Sequence, residues 1–177
     1  NPSISILYTT ARDEFPMIDL PGVSHIKLFL DTIKEQTFKS FEVIIVDVLY
    51  KKRHELIDNG RADYNFTSYP FPIKHIDPTE FSWALKKGMW GLQDQINLGI
   101  IHADGDLILV FPDCCEFKIT DGLQLYWDWY MKGYFAQALF VYYKGGKPLL
   151  VDDAANPNIM QGNTGFIIAS KINDYYK

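Results

Sequence analysis

The chain has 177 residues, 47% of them hydrophobic and 15% aromatic, with a net charge of −5. That length and apolar content suit one domain with a buried core and exclude a disordered chain. The acidic balance argues against a general nucleic-acid surface. No apolar run reaches the roughly 18 residues that span a bilayer.

In chain order, Ile4 to Tyr8 opens as a strand that ends on Thr9-Thr10, with Arg12 following. Pro16 and Pro21-Gly22 punctuate a loop. Ile26, Phe29, Leu30 and Ile33 then recur at helical spacing, and this helix is expected to end near Gln36. Phe41 to Asp47 is a nearly continuous β-branched run, as expected of a strand covered on both faces. Lys51 to Asn59, stopped by Gly60, reads as a short helix, and Ile73 to Ile76 as a short strand. A helical pattern runs from about Phe81 to Ala103, weakened by Gly88, Gly91 and Gly99, before a buried strand at Leu107–Phe111. Thr120-Asp121 can cap a helix through Met131 whose Leu123, Trp127 and Tyr130 have core spacing. Residues 135–143 and 147–151 read as a hairpin about Lys144-Gly145-Gly146-Lys147, and 165–169 as a last strand.

Helical crossovers between short apolar strands predict a mainly parallel sheet flanked by helices, with a mixed C-terminal half. With no linker to divide them, 1–117 and 118–177 are expected to form one domain. Ligands of such sheets bind beyond the carboxyl ends of the strands, where strand order reverses. Three strands bring polar groups to that edge: Thr9, Thr10 and Arg12 from the first, Asp47 from the second, Asp113 from the fourth. Neither GxGxxG nor GxxxxGK[ST] occurs, so a phosphate group at this edge is expected to be held through a metal.

Three segments in order, SISILYTTAR, HIKLFLDTIKEQTFKSFEVIIVD and NLGIIHADGDLILVFPD, resemble the family 2 glycosyltransferases of the GT-A fold. The likeness covers roughly the first two-thirds of the chain and is closest over Asp31–Phe38 and Phe41–Asp47. It implies a nucleotide-sugar donor, with Asp47 and the Thr9, Thr10, Arg12 end lining the nucleotide pocket. It also implies Mn²⁺ or Mg²⁺ on the diphosphate, held by an acidic motif after the fourth strand. Where the family has Asp-x-Asp, this chain has Asp113-Cys114-Cys115-Glu116, so the metal ligands carried over are Asp113 and Glu116. Mg²⁺ and Mn²⁺ prefer oxygen, so the two cysteines are expected as small apolar fillers. Adjacent cysteines cannot staple distant segments, which fits a reducing, cytoplasmic setting.

Transfer to a hydroxyl acceptor (glycan, protein or lipid) with inversion needs a carboxylate base. The family's usual base stands in a Glu-Asp segment beyond the last strand; here Asp152 and Asp153 are the candidates. Two rival readings stand beside this one, a sugar-phosphate nucleotidyltransferase and a glycosyltransferase-like module that binds without turnover. Simpler roles also compete: Asp47 can cap the next helix, Lys51-Lys52-Arg53 can be a solvated helix start, and His102 can be a core histidine. His25, His54 and His75 are too scattered in sequence to suggest a metal centre.

Overall fold

A computed structural model describes residues 1–11, 24–82, 86–87, 91–113, 115–117, 119–133, 143–144, 147–148 and 167–168. Its main sheet contains β1 (Ile4–Thr10), β2 (Phe41–Asp47), β3 (Ile73–Ile76) and β4 (Leu107–Pro112), with β7 (Ile167–Ile168) at one edge. The spatial order is β3-β2-β1-β4-β7; the first four strands are parallel and β7 is antiparallel to β4. The helices are α1 (His25–Lys34), α2 (Tyr50–Asp58), α3 (Leu92–Ile101) and α4 (Gly122–Met131). A two-stranded ribbon pairs β5 (Tyr143–Lys144) with β6 (Lys147–Pro148). This is the mixed α/β architecture expected, with a mainly parallel sheet between helices.

Alternation along the strands decides which helix covers which face. Ile4, Ile6 and Tyr8 of β1, with Val43, Ile45, Leu107 and Leu109, meet α1 through Ile26, Phe29, Leu30 and Ile33. Leu7, Ile44, Val46, Ile108 and Val110 point the other way and meet Leu98 of α3. All seven residues of β2 are buried, because both faces are covered. Gly99 explains how α3 comes so close: a Cβ there would lie 2.1 Å from Leu7 Cδ1. The glycine expected only to weaken this helix therefore sets its packing distance.

Helix ends follow local chemistry. Ser24 caps α1, its hydroxyl accepting from Lys27 N at 3.2 Å. Gly60, with φ of +64°, ends α2 in a left-handed turn, where Arg61 N donates to Leu56 O at 2.8 Å and Gly60 N to Ile57 O at 3.0 Å. The start of α4 corrects the expected cap. Asp121 makes no side-chain cap bond; instead the buried Gln36 accepts from Leu123 N at 3.0 Å and donates to Ile119 O at 2.8 Å. A long-range amide does the work assigned to a local carboxylate. Of the expected core positions on α4, Leu123 is fully buried, while Trp127 and Tyr130 are partly buried against the same cluster. His102 is a second correction: it is the exposed C-cap of α3, outside the core.

Candidate functional site

Strand order reverses between β1 and β4: β1 runs on to β2 on one side, while β4 returns on the other. The parallel register aligns Thr10 with Asp47 and Thr9 with Pro112, so one further step sets Thr10 beside Asp113. Of the expected groups, Thr9, Thr10, Asp47 and Asp113, from three strands, therefore converge at one sheet edge. Thr9, Thr10, Asp47 and Asp113 are all buried there.

A connected set of polar contacts ties them together. Asp47 is fully buried, and its Oδ2 accepts from Arg53 Nε at 2.5 Å and from His75 Nε2 at 3.0 Å. Its Oδ1 accepts from Leu49 N at 2.9 Å, just ahead of α2, so the simpler capping role is realised as well. Arg53 Nη2 donates to Thr10 Oγ1 at 3.5 Å, and Thr10 Oγ1 donates to Asp113 Oδ2 at 3.4 Å. The backbone carbonyl of Asp113 accepts from Tyr8 Oη at 3.2 Å and from His25 Nδ1. These contacts fix the turn at the end of β4, and Asp113 is left only 6% exposed.

Arg53 is the main correction to the sequence reading. It lies within a run expected to be a solvated helix start, yet it is 1% exposed and paired to Asp47. Lys51 beside it is exposed and stands 4.0 Å from Asp77 and 3.8 Å from Glu80. The signal available in the sequence was the stripe on α2: Arg53 and Ile57 are four apart and share the inward face. Two histidines separated by 21 positions also meet here. β3 pairs with β2 so that His75 lies against Ile45, and α2 folds back to place His54 on top. Their ring centroids lie 5.0 Å apart at an interplanar angle of 23°, with Tyr50 4.3 Å from His54 and Phe66 edge-on to His75 at 4.6 Å.

Electrostatics at this edge follow from burial. Burial pushes the His75 pKa down, opposed by its hydrogen bond to Asp47 and reinforced by His54 and Arg53. Its ring is therefore neutral at pH 7, and Arg53 supplies the cation that balances Asp47. Burial likewise pushes Tyr64, beside Arg53, upward, with the guanidinium acting against the shift.

Glu116 is half-buried three positions after Asp113 in the chain, and Cys115 packs partly buried against the core, as expected of a filler. Arg12, Asp152, Asp153 and Cys114 lie outside the described residues. Among the described residues, no three His, Cys, Asp or Glu side chains are grouped to hold a metal ion. The donor chemistry at the end of β4 is nonetheless of the hard-oxygen kind that suits Mg²⁺ or Mn²⁺. One or two carboxylates suffice where a diphosphate and water complete the coordination. No helix among the described residues is long and apolar enough to cross a membrane.

An open cleft of about 400 Å³ lies elsewhere, between α1 and residues 57–69, lined by Lys27, Asp31 and Tyr69 among others. It collects none of the expected site residues. Tyr69 donates to Asp31 Oδ1 at 3.1 Å on its wall, and its pKa is raised by burial and by that carboxylate.

No family model and no curated protein sequence matches this chain. Among solved structures, it is similar to a crystal structure of S. aureus TarS at 13% identity and TM-score 0.44, over 73% of this chain and 20% of that one. A crystal structure of S. aureus TarS 1-349 aligns at 14% identity and TM-score 0.46, over 74% of this chain and 32% of that one. The chain thus spans between a fifth and a third of those proteins. At such identity and overlap the likeness carries no weight for function, which must be read from the strand ends.

Proposed function

We propose that this chain is a GT-A-like glycosyltransferase domain that moves a sugar from a nucleoside-diphosphate donor to a hydroxyl acceptor. The observation that carries the reading is the meeting of Thr10, Asp47 and Asp113 at the carboxyl edge of a parallel sheet, where strand order reverses. That edge is where open α/β sheets take nucleotides. The family resemblance in SISILYTTAR, FEVIIVD and NLGIIHADGDLILVFPD supplies the reaction class.

In this reading the nucleoside sits over the ends of β1 and β2, lined by Thr9, Thr10, Arg12 and the Asp47 cluster. Asp113, with Glu116, would hold Mn²⁺ or Mg²⁺, which supplies charge neutralisation to the diphosphate when bound. Thr10 keeps the Asp113 carboxylate aimed at the edge through its hydroxyl. Asp152 or Asp153 would take the proton from the acceptor hydroxyl as it attacks the anomeric carbon. Inversion at that carbon follows from a single displacement.

A second reading is favoured by one observation: Cys115 stands where the family's Asp-x-Asp motif has its second acid. That suits a module which binds nucleotide without turnover. One assay separates these readings and the nucleotidyltransferase. With a panel of nucleotide sugars and Mn²⁺, transfer or slow hydrolysis releases nucleoside diphosphate, and Asp113→Asn is expected to lower the rate at least about a hundredfold. Release of pyrophosphate from nucleotide and sugar phosphate would replace this reading with nucleotidyl transfer. Binding with no release would leave the non-catalytic module.

A further inference from the structure

Asp47 is expected to line the nucleotide pocket, yet it is fully buried and both its oxygens are engaged within the protein. A side chain with no exposed surface cannot touch a ligand directly. What reaches outward from it is a chain of imidazoles. His75 Nε2 contacts Asp47 Oδ2 at 3.0 Å, and His75 Nδ1 contacts His54 Nε2 at 3.1 Å. His54 is partly exposed, and its Nδ1 makes no hydrogen bond among the described residues.

The chemistry of the inner end dictates the outer end. A carboxylate only accepts, so His75 Nε2 must carry a proton and donate. A neutral His75 then presents a lone pair at Nδ1, and His54 Nε2 must donate to it. A neutral His54 with its proton on Nε2 has a lone pair on Nδ1, and that atom is an obligate acceptor. Burial, which lowers the His75 pKa, keeps the inner ring in the neutral form this logic requires. The opposite tautomer would set the lone pair of His75 Nε2 against a carboxylate oxygen.

We propose that His54 is the specificity-determining residue for the nucleobase, its Nδ1 accepting a hydrogen bond from the ring N–H at the centre of the base's Watson–Crick edge. This rests on the nucleotide-site reading above. Uracil (N3–H) and guanine (N1–H) carry a donor at that position. Cytosine N3 and adenine N1 carry lone pairs there and would face the lone pair of His54. Tyr50, with its ring 4.3 Å from that of His54, flanks the position and offers an aromatic surface alongside the base. Asp47 and His75 are positioning residues that act through His54.

The test is calorimetric titration of the whole chain with UDP, GDP, CDP and ADP at mildly alkaline pH, with Mn²⁺ present. The expected result is that UDP or GDP binds roughly ten- to a hundredfold more tightly than CDP and ADP, the usual cost of facing an unpaired acceptor. His54→Gln is expected to keep the preference, because its amide N–H₂ can donate to His75 while its carbonyl faces outward. His54→Leu, checked for native fold by circular dichroism, is expected to level the four affinities. A preference for CDP or ADP, equal affinities in the unsubstituted chain, or a ratio unchanged in His54→Leu would each overturn the role of His54 while leaving a nucleotide site. Failure of all four diphosphates to bind would overturn the nucleotide site and this assignment with it.

Discussion

The two ends of the sheet solve the same problem, a buried carboxylate, in different ways. At the amino end, Glu42 is 2% exposed and accepts from Ser5 Oγ at 2.7 Å and Asp104 N at 2.8 Å, with Lys74 Nζ 2.8 Å away. Ser5 Oγ also accepts from Gly105 N at 2.8 Å, and a Cβ on Gly105 would lie 2.6 Å from Ser5 N. Every partner lies on β1, β2, β3 or the turn into β4, so the knot closes on itself and fastens that turn. At the carboxyl end, Asp47 is equally buried, but its partners come from α2 and β3, and the chain of contacts runs outward to His54 and across to Asp113. A closed knot is scaffold; an open one carries polarity to the surface. Glu42 and Asp47 lie in the same family-like segment, Phe41–Asp47, yet only Glu42 sits in the scaffold.

The largest expected effect lies at the open end. Arg53→Leu would leave Asp47 buried with its cation removed and is expected to cost about 3–5 kcal/mol, read from urea unfolding. A smaller loss would mean that Asp47 can take up a proton or water and that the edge is less closed than the burial implies. Glu42→Gln would weaken contacts to Asp104 N and Lys74, and is expected to cost about 2 kcal/mol. Nucleoside-diphosphate affinity of the folded protein should not change, and a drop in it would erase the distinction between the two ends.

A pH effect is expected from His75. Its folded pKa is depressed, so below the ordinary value of 6.5 the unfolded chain takes up a proton that the native state refuses. Stability therefore falls as pH drops from 6.5 through the lowered folded value, and is regained on return. The pH dependence of the urea midpoint should flatten in that window in His75→Gln; an unchanged slope would assign it to another group. The smallest effect belongs to Asp104→Asn, which weakens an exposed pair with Lys74 and leaves the buried Glu42 with its cation. The lysine is held charged by Asp104 and Glu42 against partial burial, yet its pair with Asp104 is largely exposed. A small loss of melting temperature, vanishing with added salt, is expected in thermal melts.

Much of the fold was legible in the chain. Phe41–Asp47 and Leu107–Phe111 are apolar runs too short for helices and too continuous for a half-exposed sheet, and both proved buried strands. The strand-end positions of Asp47 and Asp113 followed from those runs. The cap of α4 did not, because Gln36 reaches it across 87 positions and no local pattern records such a bond. The same limit hid the centre of the candidate site. Arg53 reads as one of three basic residues at a helix start, and His54 and His75 as isolated histidines.

Sequence alone determined what is local: strand periodicity, the glycine that ends α2, and which residue types stand at the strand ends. Periodicity is written into neighbouring positions because the backbone repeats every two or 3.6 residues. Tertiary structure decided which of those residues share a low-dielectric space. Burial and the parallel register made Asp47 a partner of Arg53 and His75, and so passed the outward-facing role to His54. A charge in water needs no partner, whereas a charge out of water must have one, and only the packed fold says which groups have left the water.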